Sequence, residues 1–223
     1  MITNFENLIE LGAMVVTVIV LSYISLSVYR RNPSERLNQL FSLACGLSML
    51  GFFFTALGTV PGVTPELSVL STQLFITFLF WGISTIFLVA FYLNYGYLSQ
   101  RAFASILAVN SLLIFVWLPG SIIADPTNPA DITMSLLSIV IIFPVAIIAL
   151  ILIWYLFYRV YAQSPENEPI HQKMRYFLIG WTLFIFSVIL AVIGTAMGYH
   201  LLDAIGFTIV AIGSFVMFQA FRN

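Results

Sequence analysis

"SVYRRNPSERLNQLFSL", residues 27–43, sets three arginines and a proline between two apolar runs. The surrounding chain of 223 residues is 61% hydrophobic and 8% charged. A soluble domain carries about a quarter charged residues, so a chain this poor in charge is read as an integral membrane protein. Three of its eight basic residues fall on the seven positions 30–36. Such a cluster, with turn-forming Asn32, Pro33 and Ser34, marks a polar connector between two membrane spans.

Outward from this connector, apolar runs near the roughly 20 residues needed to cross a bilayer recur. They lie at 9–29, 38–60, 67–95, 102–122, 132–158, 174–196 and 200–221. The breaks between them carry charge or turn chemistry, as in "VPGVTPE" at 60–66, "GYLSQR" at 96–101 and "DPTNPAD" at 125–131. The expected fold is therefore all-α: a single polytopic membrane domain over 1–223, a bundle of seven transmembrane helices. Pro144, inside the fifth run, predicts a kink, because proline removes a helix hydrogen bond.

Charge sorts by side. Arg30, Arg31, Arg36, Arg101, Arg159, Lys173, Arg175 and Arg222 all fall on one side of a seven-span chain. Glu6, Glu10, Glu66, Asp125, Asp131 and Asp203 fall on the other, which has no Lys or Arg. Basic residues in short loops resist translocation, so these eight act as topology anchors. The N-terminus is expected outside and the C-terminus in the cytoplasm of a multi-pass plasma-membrane protein. Tyrosines agree: Tyr29, Tyr92, Tyr95, Tyr97, Tyr155, Tyr158, Tyr161 and Tyr176 gather toward the basic ends, and amphipathic rings favour the interface.

Several function classes are disfavoured. A basic patch for nucleic acid is absent. The single Cys45 permits no intramolecular disulfide. Met1 to Glu10 has no basic residue and so does not read as a signal-peptide start. Ion-coupled transport usually places Asp, Glu, Lys or Arg at mid-depth, and none is found there. A retinal Schiff base needs a lysine inside the bundle, but Lys173, the only lysine, sits at the cytoplasmic end of the sixth span. His171 and His200 lie at opposite ends, which rules out their pairing as axial haem ligands. His200 and Asp203 supply two of the three ligands that an intramembrane zinc site needs. No catalytic residue, cofactor or metal is expected, and the chain is not expected to be an enzyme.

The mid-span polar groups are mild: Ser42, Ser48, Gln73, Thr77, Ser84, Thr85, Asn110, Ser111, Ser135, Ser138, Thr182, Ser187, Thr208 and Ser214. Most are expected to form interhelical hydrogen bonds worth about 1 kcal/mol each. Asn110 stands apart, since an amide deep in hydrocarbon needs partners on two sides. Small residues, among them Gly194 and Gly198 in the sixth span and Gly206 and Gly213 in the seventh, predict close helix packing.

Two stretches carry a family resemblance. "ERLNQLFSLACGLSMLGFFFTALG" at 35–58 opens the second span after a short basic loop. "HQKMRYFLIGWTLFIFSVIL" at 171–190 is a basic lead into a span with a glycine one turn in. Together with the apolar ending "FVMFQAFRN", this resembles the N-terminal seven-helix sensor region found ahead of bacterial and archaeal histidine kinases. Arg36, Asn38 and Phe41 match its "R-x-N-x-x-x-x-x-F" pattern loosely. Lys173, Arg175, Tyr176 and Gly180 match its "R-x-x-x-R-x-x-x-x-G" pattern equally loosely. Such chains usually continue into a cytoplasmic transmitter, whereas this sequence stops two residues after Phe221. The resemblance thus implies either a piece of a longer protein or a stand-alone module that signals through a separate cytoplasmic partner.

The resulting expectation is a receptor-like sensor that binds a small or lipid-like ligand in the outer half of the bundle. Its candidate ligand-binding residues are Gln73, Trp81, Asn110, Trp117, His200 and Asp203. An accessory subunit of a membrane complex and a facilitator for a neutral solute are the alternatives. The lipid bilayer is the partner common to all three.

Overall fold

The computed structural model describes residues 2–60, 62–117, 122–124, 132–135, 140, 143–197 and 199–221. The described chain forms α1 (Ile2–Arg31), α2 (Arg36–Gly58), α3 (Pro65–Tyr95) and α4 (Gln100–Trp117). Next come two short strands, β1 (Ile122–Ala124) and β2 (Ile132–Met134), then α5 (Phe143–Gln163), α6 (Pro169–Met197) and α7 (His200–Gln219). Among the described residues, six helices, α1, α2, α3, α5, α6 and α7, are long and apolar enough to cross a membrane. That makes the chain a membrane-embedded, multi-pass helical protein.

The helix ends follow from local chemistry. Thr64 caps α3 by accepting from the Leu67 amide at 3.4 Å, with Pro65 in the first turn. Gly96 ends the same helix at φ +73°, a left-handed conformation that favours glycine. Between α1 and α2, the opening connector is tied down by side-chain amides. Asn38 donates to the Asn32 carbonyl at 3.3 Å and to the Glu35 carboxylate at 3.1 Å, and Gln39 donates to the Pro33 carbonyl at 2.8 Å.

The fifth apolar run divides differently from the expected 132–158. Residues 132–134 form β2, paired antiparallel with β1 so that Ile123 faces Thr133. The described helix begins only at Phe143. The residues immediately before it, 141–142, lie outside the described residues, and the kink expected at Pro144 falls at that boundary.

Six helices close into a ring. α1 packs on α2 and α7, α2 on α3, α3 on α5, α5 on α6, and α6 on α7. α4 packs on α3 outside this ring. Glycines set the close approaches. A methyl at Gly180 would lie 2.6 Å from the Gly213 carbonyl oxygen across α6 and α7, and one at Gly82 would lie 2.5 Å from Ser48 Oγ across α3 and α2.

Contacts at one end gather the basic connectors. Arg31 donates to the carbonyl of Phe221, joining the end of α1 to the end of α7. The Phe41 ring, early in α2, lies 5.7 Å from Phe177 early in α6 and 4.9 Å from Phe221. Asn94 near the end of α3 donates to Leu156 toward the end of α5. The described basic residues thus share one end of the bundle, called here the basic end; Arg222 lies outside the described residues.

The outer surface is apolar. On α1, Leu8, Val15, Ile19, Tyr23 and Leu26 face outward, while Met14, Thr17, Leu21, Ile24 and Val28 are buried. Both sets repeat at helical spacing, so one face meets the bundle and the other meets lipid.

Candidate functional site

Five helices of the ring line a cavity of about 50 Å³ in the half nearer the basic end. Leu21 and Ile24 of α1 and Ile83 and Ile86 of α3 supply aliphatic walls. α2 contributes Phe41, Cys45, Ser48 and Phe52 at helical spacing. α6 contributes Phe177, Trp181 and Phe184, three consecutive inward positions. Their rings follow one another at centroid distances of 6.0 and 5.3 Å. α7 completes the lining with Val210, Ser214, Met217 and Phe221.

Hydrogen bonds from indole and hydroxyl side chains hold these walls. Trp181 Nε1 donates to the Leu150 carbonyl of α5 at 3.2 Å, which fixes the ring that faces the cavity. On the outer side of the same interface, Trp154 Nε1 donates to Thr182 Oγ1 at 3.0 Å. Ser25 and Ser42 exchange hydrogen bonds across α1 and α2, each hydroxyl lying 2.9 Å from the other's carbonyl oxygen. The expectation of interhelical bonding thus holds at Ser42 and Thr182. Thr77, Thr85, Ser187 and Thr208 instead donate to carbonyls of their own helices, the usual alternative for a hydroxyl in an apolar helix.

None of the six residues expected to bind ligand lines this cavity. Gln73 lies toward the opposite end of α3, and Trp81 lies at its middle. Asn110 belongs to α4 and is therefore outside the ring. Trp117 ends α4 and His200 begins α7; their side chains are outside the described residues. Asp203 folds against α6, where a methyl on Gly194 would meet its Oδ1 at 2.8 Å. Asp203 also lies within electrostatic reach of Glu10 on α1. Asp203 and Glu10 are thus near each other in the bundle, on α7 and α1.

Two of the six share one feature. Asn110 Nδ2 and Trp81 Nε1 are shielded from solvent and have no hydrogen-bond acceptor among the described residues. Among the described residues, no group of three His, Cys, Asp or Glu side chains could hold a metal ion.

The cavity-lining aromatics carry no polar signal in an apolar span; only their helical spacing, Phe177–Trp181–Phe184 and Phe41–Cys45–Ser48–Phe52, marks them in the sequence. No family model matches the chain, and no curated protein matches it.

Proposed function

We propose that this protein is a receptor-like membrane sensor whose ligand is a small, apolar or lipid-like molecule held in the cavity of the six-helix ring. The observation that supports this reading is the lining: five helices converge on one apolar space that includes the hydroxyls of Ser48 and Ser214. Binding pockets for small molecules have this make-up, an apolar wall with a few placed polar groups.

The cavity's size favours a sensor. An engineered cavity of roughly 150 Å³ holds benzene. A space of about 50 Å³ admits such a guest only if the walls move apart. A ligand that fits the expanded arrangement better than the compact one shifts the balance between them. Phe221 lines the cavity, and its carbonyl is held by Arg31, so expansion would be felt at the end of α7. With the basic end in the cytoplasm of a plasma-membrane protein, that movement would reach a cytoplasmic partner, as the resemblance to histidine-kinase sensor regions implies.

The test is a thermal-unfolding screen of detergent-purified protein against small apolar compounds, from benzene to short fatty alcohols. Val210→Phe fills the cavity and serves as the control. Stabilisation of the wild type that disappears in the folded variant is the expected result. A flat screen, or hits that survive Val210→Phe, would sink the proposal and favour the accessory-subunit alternative.

A further inference from the structure

Two hydroxyls line the cavity at the same level, one on α2 and one on α7. Aromatic contacts between these helices fix that level. Phe41 meets Phe221 at a centroid distance of 4.9 Å, and Phe52 meets Phe207 at 6.4 Å. Ser48 lies seven residues after Phe41 on α2, and Ser214 lies seven residues before Phe221. Seven residues are about two helical turns, or about 10 Å. Both serines therefore sit about 10 Å in from the Phe41–Phe221 contact, on the helix faces that carry it. Both line the cavity.

Neither hydroxyl is used by the fold. A hydroxyl in an apolar helix commonly donates to a carbonyl of the preceding turn, as Thr55 of α2 and Thr208 of α7 do. Among the described residues, Ser48 and Ser214 have no hydrogen-bond partner. Ser214 is 2% exposed, so water around the bundle does not serve it. Ser48 Oγ faces Gly82 of α3, where a methyl would lie 2.5 Å from it and the absent side chain leaves it uncovered. Alanine at either position would avoid the cost of a buried hydroxyl without a partner.

The lining limits what can supply the missing partner. No charged residue faces the space, so a charged guest would be left uncompensated. A serine hydroxyl both donates and accepts, so two of them can satisfy one guest hydroxyl completely. The aromatic wall of Phe177, Trp181 and Phe184 suits a flat apolar body.

We infer that Ser48 Oγ and Ser214 Oγ clamp the single hydroxyl of a neutral ligand about one ring in size, which rests on the cavity being the ligand site as proposed above. The apolar walls take the body of the molecule, and the serine pair selects the alcohol over a hydrocarbon of the same shape.

The test uses the full chain in detergent and two probes of one shape, phenol and toluene, which differ by a hydroxyl against a methyl. Each Kd is read from the rise of Tm with probe concentration. Ser48→Ala and Ser214→Ala are expected to fold with an unliganded Tm at or above wild type. Each is expected to weaken phenol binding by roughly fivefold or more and to leave toluene binding unchanged or tighter. Val210→Phe, which fills the cavity, is expected to abolish binding of both probes. Phenol binding that the alanine variants leave intact, an equal loss of both probes, or toluene binding without phenol binding would each overturn the inference while the cavity stays a ligand site. No binding of either probe to wild type, or phenol binding that survives Val210→Phe, would remove the cavity reading and the inference with it. An alanine variant that fails to fold would show that its hydroxyl has a structural partner, and overturns the inference as well.

Discussion

The Asn94 side-chain amide bridges two helices, donating to the Ala90 carbonyl of its own helix at 2.8 Å and to the Leu156 carbonyl of α5 at 2.9 Å. The two residues are 62 positions apart, and their bond joins α3 directly to α5. α4, which lies between them in sequence, is left outside the ring.

Asn94→Leu is therefore expected to destabilise the bundle. Hydrogen bonds between membrane helices are worth about 0.6 kcal/mol on average and up to about 1.7. A loss of about 1 kcal/mol is expected in thermal or denaturant unfolding, with faster hydrogen exchange at the basic end of α5. Unchanged exchange there would show that packing alone holds α3 to α5.

The contact of α6 with α7 depends on the absence of side chains at two positions. Gly180→Ala places a methyl 2.6 Å from the Gly213 carbonyl oxygen, and Gly213→Ala places one 2.9 Å from the Gly180 carbonyl oxygen. Each is expected to cost about 1–3 kcal/mol by forcing the helices apart. Gly12→Ala is the matched control, because nothing lies within 4 Å of the added methyl. It is expected to stabilise α1 by about 0.5–1 kcal/mol. Equal effects at Gly12 and Gly180 would count against close α6–α7 packing.

Arg31 supplies donors and positive charge at the C-terminal end of α7, where carbonyls lack intrahelical partners. Arg31→Ala is expected to leave the fold intact while residues 217–221 exchange their amide hydrogens faster. If the proposed ligand acts by widening the cavity, it should speed exchange over the same residues in the wild type. Slower exchange on ligand binding would contradict that route.

Cys45 is buried and lines the cavity, so its thiol reports on access to that space. A small membrane-permeant thiol reagent is expected to label it slowly in folded protein, and a cavity ligand is expected to slow labelling further. Labelling as fast as in unfolded protein would show that the cavity is open in the resting state.

The proposed orientation is tested in intact cells. In a Cys45→Ala background, Asn167→Cys sits in the connector between α5 and α6, at the basic end. It is expected to resist a membrane-impermeant maleimide until the cells are opened. Labelling of intact cells would reverse the orientation inferred from the basic residues.

Residue composition and pattern alone set the solvent and most of the elements. Low charge and long apolar runs announced a membrane bundle, and "SVYRRNPSERL" placed the break between α1 and α2 within a few residues. "VTPE" and Gly96 marked the ends of α3, because capping and left-handed turns depend on local residue type. The grouping of the described basic residues was also legible, since each sits at a helix end and short connectors reverse the chain. Helix order in space was not legible. In helices that are apolar all round, lipid-facing and buried positions look alike, so periodicity does not say which neighbours meet. The bonds that decide this end on backbone carbonyls: Asn94 on Leu156, Trp181 on Leu150 and Arg31 on Phe221. A carbonyl is present at every residue and leaves no mark in the sequence. The close of the ring from α3 to α5, the cavity near the basic end and the place of Asn110 outside the ring are therefore decided by tertiary packing alone.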